Sequence, residues 1–91
     1  MEIEYDPNKN EKNIRERGIS FEKVHEFDFE TALYYVDGRK DYGEKRIIAL
    51  GKIHERVHVL VFKDTDNGIR VISFRKANKR EVIRYEQETR S

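Results

Sequence analysis

A chain of 91 residues, 36% hydrophobic and 41% charged, has material for one domain with a thin core, which favours helices laid on a single sheet over a sandwich or a deep bundle. The lack of any Cys excludes a disulfide framework, a thiolate metal site and a Cys nucleophile, while five Tyr and five Phe set the chain apart from disordered sequences of similar charge. The net charge of +1 conceals a polarity: residues 1–44 hold seven Lys/Arg against twelve Asp/Glu and residues 45–91 hold twelve against six, so the halves stand at −5 and +6 and the second can carry a basic patch for a polyanion.

The start, Met1-Glu2-Ile3-Glu4-Tyr5, lacks the basic-then-apolar run of a signal peptide, and no later stretch approaches bilayer length, so a cytoplasmic protein is expected. Ile3 and Tyr5 alternate with Glu2 and Glu4, as in a short strand with one wet face. Asp6-Pro7 supplies the cap and the favoured first residue of a helix that runs to about Arg17 and stops at Gly18; beyond Ile14 it has little apolar surface. Ser20 can cap a second helix, with Ile19 stapled onto Val24 and a buried stripe of Phe21, Val24 and His25. Ala32–Val36 reads as a strand, residues 37–43 as a loop, and further strands are expected at Lys45–Gly51, Arg56–Lys63 and Ile69–Arg75. Asn67-Gly68 signals a hairpin between the last two, since both residues tolerate positive φ. A terminal helix follows from Asn78 to about Glu88.

The expected fold is therefore α+β, in the order β-α-α-β-β-β-β-α: an antiparallel sheet with two N-terminal helices and one C-terminal helix. With no repeat or linker in the chain, residues 1–91 read as a single domain. On Arg56–Lys63, Val57, Val59 and Val61 share one face, and His58, Leu60 and Phe62 the other. Apolar residues on both faces require cover on both sides, from the terminal helix or from a partner.

The stretch from Arg70 to Tyr85 is richest in chemistry. Strand alternation puts Arg70 with Ile72 and Phe74, and Ser73 with Arg75 on the opposite face; Lys76, Arg80 and Arg84 stack along one helical ridge. Guanidinium forks match phosphate oxygens and stack on bases, so this segment is suited to RNA phosphates. The bland reading is a solvated helix with Glu81, Glu86 and Glu88 as surface pairs, but Arg70 and Arg75 flank a buried run and each needs a partner or a site. Glu44, ahead of Lys45-Arg46, suits either a general base tuned by arginines or an ion-pair partner for Arg70 or Arg75. His25, His54 and His58 show no ligand spacing, no phosphate loop or GxSxG elbow is present, and neither metal nor cofactor is expected.

Tyr5-Asp6-Pro7-Asn8-Lys9, then Asn13 and Gly18-Ile19-Ser20-Phe21, resemble the opening of the BrnT toxins, approximately W-D-P-x-K-x-x-x-N-x-x-K-H-G-V-S-F, at identical spacing. Gly43-Glu44-Lys45-Arg46 resembles that family's G-E-x-R strand start. Arg70-Val71-Ile72-Ser73-Phe74-Arg75-Lys76-Ala77, with Glu81 and Tyr85, resembles R-I-I-S-A-R-x-A…E…Y. The resemblance implies a type II toxin with a RelE-like fold and ribonuclease activity. It also implies a BrnA-type antitoxin, through whose DNA-binding part the complex represses its own operon; whether that complex is an oligomer stays open. The implied chemistry is metal-independent: the ribose 2′-OH attacks the adjacent phosphorus in line, leaving a cyclic phosphate and a 5′-OH, which needs cations, a proton acceptor and a proton donor.

Carried over by position, Arg70 and Arg75 would bind the scissile phosphate and Arg80 a second one, with Lys9 and Arg46 in support; Lys76 and Arg84, from the helical ridge, join them as RNA contacts. Glu44 and Tyr85 would transfer protons or orient the arginines. Three departures stand out. Tyr5 replaces the family's Trp and keeps an aromatic anchor. Glu16-Arg17 replaces Lys-His, so a His-dependent step cannot operate there. Phe74 replaces Ala, with bulk expected to narrow the site. The competing functions are a catalytically degenerate toxin that keeps antitoxin binding and co-repression, and a plain nucleic-acid-binding module.

Overall fold

Alternation at the start of the chain gives β1 (Glu2–Glu4), whose inward residue is Ile3. Helix α1 (Pro7–Arg17) starts and stops as its caps dictate. The Asp6 carboxylate accepts the Asn8 N–H at 2.9 Å, Pro7 takes the first turn, and Gly18 at φ 72° turns its N–H onto the Ile14 carbonyl. The only buried residue of α1 is polar. Asn13 donates through its side-chain amide to the Ile19 carbonyl at 2.9 Å and to the Phe74 carbonyl at 2.7 Å. A helix this poor in apolar surface is pinned by hydrogen bonds to carbonyls that would otherwise be left unsatisfied.

The second helix expected after Ser20 is instead a 3₁₀ segment, Phe21–Glu26. Its buried anchors Phe21, Val24 and Phe27 recur every third residue, the 3₁₀ period, and His25, expected in the stripe, is exposed. Strands β2 (Leu33–Val36), β3 (Ile47–Ile53), β4 (Arg56–Asp64) and β5 (Gly68–Lys76) follow, then α2 (Lys79–Thr89). β3 lies two residues later than expected, because pairing with β2 begins at Ile47 opposite Val36 and the β3–β4 turn closes on His54, at φ 54°. The Asn67-Gly68 turn exists, but neither residue has positive φ. Gly68 opens β5, and a Cβ there would meet the Glu2 carbonyl oxygen at 1.9 Å, so glycine admits β1 alongside. The computed structural model describes residues 1–39, 41 and 43–90; Lys40 and Tyr42 of the expected 37–43 loop lie outside the described residues.

The five strands lie in the order β1-β5-β4-β3-β2. β2 to β5 form an antiparallel meander, but β1 runs parallel to β5 with Ile3 opposite Ile69, so the sheet is mixed and not wholly antiparallel as expected. The chain leaves β1 through α1 and the 3₁₀ segment to the far edge of the sheet, then meanders back to lie beside β1 in the same direction.

One face packs Leu60, Phe62, Val71 and Phe74 against Phe21, Val24 and Phe27. The other carries Leu50, Val57 and Val59 beneath Ala77 and Tyr85. The two-sided β4 is thus covered by the 3₁₀ segment on one side and by α2 on the other, three thin layers where two were expected. α2 covers only part of its face, and the remainder forms the site described next. No helix among the described residues is long and apolar enough to cross a membrane.

Candidate functional site

Arg70 and Arg75 are five residues apart, so strict alternation would put them on opposite faces. They share one. Ser73 pairs with Val61 and Val71 with Phe62, leaving Ile72 without a partner; this bulge resets the alternation. Val71 and Phe74 turn to the buried core, while Arg70 (opposite Lys63), Ser73 and Arg75 (opposite Val59) fall on the α2 side. The expected grouping of Arg70 with Ile72 and Phe74 is corrected accordingly. Phe74 is fully buried against Phe27 and His58, away from the cleft it was expected to narrow.

The uncovered part of the α2-side face is a cleft of about 260 Å³, floored by Ile48, Val59 and Val61 and walled by Arg17, Arg39, Ser73, Arg75 and Glu81. Arg75 grips Glu81 end-on, with Nη1 to Oε1 at 2.8 Å and Nη2 to Oε2 at 2.9 Å. Glu81 also closes the α2 capping box: its Oε1 accepts the Asn78 N–H at 2.8 Å, and the Asn78 side chain accepts the Glu81 N–H at 2.9 Å. The Arg75 hydrogen bonds hold the Glu81 carboxyl below the usual carboxylate range, and Glu81 raises Arg75 in return, so both are charged at neutral pH. Arg39 is held by Asp37 in the same forked manner, at 2.9 and 2.8 Å, and chiefly for that reason the Asp37 carboxyl is lowered to about 2. Arg39 is near enough to oppose the charge on Arg75. Arg17 reaches the cleft from the last turn of α1, which Asn13 anchors to β5. Three guanidinium groups, from α1, β5 and the segment after β2, therefore converge over an apolar floor, with one ionised carboxylate among them.

Of the candidates read from the sequence, only Arg75 lines this cleft. Arg70 stands about 13 Å along the strand from Arg75 and is drawn to Glu4 at 3.5 Å, whereas Arg75 is held by Glu81 at the cleft. Glu44 bonds Lys63 at 2.8 Å and lies 3.6 Å from Arg46, and these contacts lower its carboxyl. Tyr85 is the buried residue of α2, its hydroxyl donating to the Thr31 carbonyl at 3.3 Å. Lys76 ends β5 rather than starting the helix, so the expected ridge reduces to Arg80 and Arg84. Arg84 lies 4.0 Å over the Tyr35 ring and pairs with Glu88 at 3.0 Å, and Arg80 is exposed. Lys9 is exposed on α1. Among the described residues no three His, Asp or Glu side chains are placed to share a metal ion.

Sequence reasoning missed Arg39, Ser73 and Glu81 as site residues and met Arg17 only as a replacement for His. Glu81 had a signal, the Asn78-x-x-Glu81 capping box. Arg39 lay in an irregular segment, where neither face nor neighbours can be read from periodicity.

A comparison with curated proteins gives no match. A family model described as ribonuclease toxin, BrnT, of type II toxin–antitoxin system matches residues 5–81, a span holding Arg17, Arg39, Ser73, Arg75 and Glu81. With most of its length inside that match, the chain belongs to the BrnT family of type II ribonuclease toxins.

Proposed function

We propose that this protein is an active endoribonuclease that cuts RNA in the cleft between α1, β5 and α2. The observation that carries the reading is the convergence of Arg17, Arg39 and Arg75 on one open cleft. The ribose 2′-oxygen attacks the adjacent phosphorus in line and gives up its proton; the P–O5′ bond breaks, and the 5′-oxygen takes a proton as it leaves. The products are a cyclic phosphate and a 5′-hydroxyl. Charge on the phosphorane peaks at the transition state, and guanidinium groups fixed beforehand stabilise it without reorganising. That supply of cations supports a metal-independent reaction. In this reading Arg75, held by Glu81, contacts the scissile phosphate with Arg17 and Arg39, and Ser73 offers a hydroxyl. Arg80 is an outer contact, while Arg70, Glu44, Arg46, Arg84 and Tyr85 maintain the fold around the cleft.

A BrnA-type antitoxin, autorepression of the operon through its DNA-binding part, a RelE-like kinship of the fold and action in the cytoplasm complete the proposal, on the strength of the resemblance and the family. The test is incubation of the purified protein with mixed RNA in EDTA. The wild type yields cyclic-phosphate ends, and Arg75→Ala or Arg17→Ala lowers the rate about a hundredfold or more. Intact RNA with folded wild-type protein would refute cleavage. It would favour the second reading, a non-catalytic co-repressor, whose support is Arg17 standing where the family pattern has His.

A further inference from the structure

A second hollow of about 240 Å³ lies between α1 and the edge of β5, walled by Lys9, Lys12, Glu16 and Arg17 from the helix and by Ile72 and Ser73 from the strand. Its strand wall is the bulge. β1 pairs with β5 only as far as Arg70, and Asn13 takes the Phe74 carbonyl, so no partner strand covers the edge from Val71 to Ser73. Arg17 and Ser73 line both hollows, so the two lie side by side.

Lys23, Lys63, Arg70, Arg75 and Arg84 each have a carboxylate within 4.0 Å. Among the described residues the cations lining the groove, Lys9, Lys12 and Arg17, have no carboxylate partner, as is also true of Arg15, Lys79 and Arg80 elsewhere, but here they gather around one hollow. Lys9 and Lys12 stand three apart on one side of α1, a like-charge spacing that weakens a helix. Three cations against Glu16 alone, beside open strand backbone, match a phosphate chain better than a folded protein surface. The hollow is too small for a duplex, and Ile72 offers an apolar contact for one base.

We propose that the α1 groove is the subsite for the nucleotide next to the scissile one, in an unpaired RNA strand that passes over Ser73 with Lys9 and Lys12 on its phosphates. This rests on the reading of the cleft as the cleavage site. The strand continues from the cleft past Arg17, and its affinity depends on salt through the two lysines.

The test uses a fluorescein-labelled single strand of about ten nucleotides, of mixed sequence and 2′-O-methylated throughout, so that binding is measured without cleavage. Anisotropy titrations across a salt series compare the wild type with Lys9→Ala/Lys12→Ala. Both lysines are exposed, and circular dichroism verifies that the variant stays folded. The variant is expected to bind roughly tenfold or more weakly at low salt, with the slope of log K against log salt shallower by about 1.4, the value for two single-strand phosphate contacts. Its deficit shrinks on a dinucleotide, whose single phosphate is the scissile one and which offers the two lysines no phosphate of their own. Wild-type affinity and slope in the variant would overturn the subsite. So would unchanged RNA binding with lost antitoxin binding, which would assign the groove to the protein partner. A lysine-dependent slope in a protein that leaves RNA intact would uphold the groove while refuting cleavage.

Discussion

Phe74 stands where the family pattern carries Ala, and its position decides what that departure does. The ring is fully buried, with Phe27 at 6.1 Å and His58 at 5.4 Å between centroids, on the opposite side of the sheet from Arg75. Its bulk fills core rather than cleft. Phe74→Ala should therefore leave a cavity and cost about 3–5 kcal/mol, seen as a lower midpoint in urea unfolding, while cleavage per folded molecule is little changed. A variant that cuts RNA faster at undiminished stability would put the ring at the cleft instead. Alternation puts Phe74 on the face opposite Ser73 and Arg75, as found, but it also puts Arg70 beside Phe74, because counting by twos through Ile72 ignores a bulge that exists only in the pairing with β4.

Among the elements, α2 couples most directly to the cleft. Glu81 serves two neighbours at once, the Asn78 N–H that starts the helix and the Arg75 guanidinium that faces the cleft. It acts as a positioning residue, and the two duties can be separated. Glu81→Gln keeps the capping-box pattern, since Gln also serves at that position, but an amide cannot accept both Arg75 bonds. Stability should fall by no more than about 1 kcal/mol, as for a part-exposed pair. The cleavage rate should fall about tenfold or more, mainly in kcat, because the loss lies in how Arg75 meets the transition state. Equal losses of stability and activity would reduce Glu81 to a helix cap. The helix ends were legible in the sequence for a physical reason: Asp6-Pro7, Gly18 and Asn78 act on their own next residues. The parallel docking of β1 and the pairing of Arg39 into the cleft depend on residues far apart in the chain, and no local pattern carries them.

Across the whole molecule, the opposed charges of the two halves interleave into ion pairs, such as Glu4 with Arg70 and Glu44 with Lys63, and the dependence of stability on pH follows from them. Three groups of residues set its shape. His58 is buried in β4 with Nδ1 2.8 Å from the Arg56 carbonyl, which assigns the proton to Nδ1 and leaves the ring neutral. Burial foremost, then the Arg56 and Lys76 charges, pushes its pKa below the ordinary 6.5 against that hydrogen bond. The unfolded chain therefore takes up this proton first, and stability falls as pH drops below 6.5. Asp37, at about 2, and Glu44, Glu81 and Glu88, below their ordinary 4.5, contribute stability above the unfolded values that is lost as pH falls through the folded ones. This second, steeper decline extends toward pH 2. Tyr5, raised mainly by its hydrogen bond to Glu22, and Tyr35, raised mainly by burial, ionise first in the unfolded chain, so stability falls again as pH rises past 10. Urea unfolding across this range should trace a plateau with two acid steps and one alkaline decline. In His58→Gln the step beginning near 6.5 disappears while the carboxylate step remains. A step near 6.5 that persists unchanged in His58→Gln would belong to another group, and the neutral buried ring would be the wrong account of it.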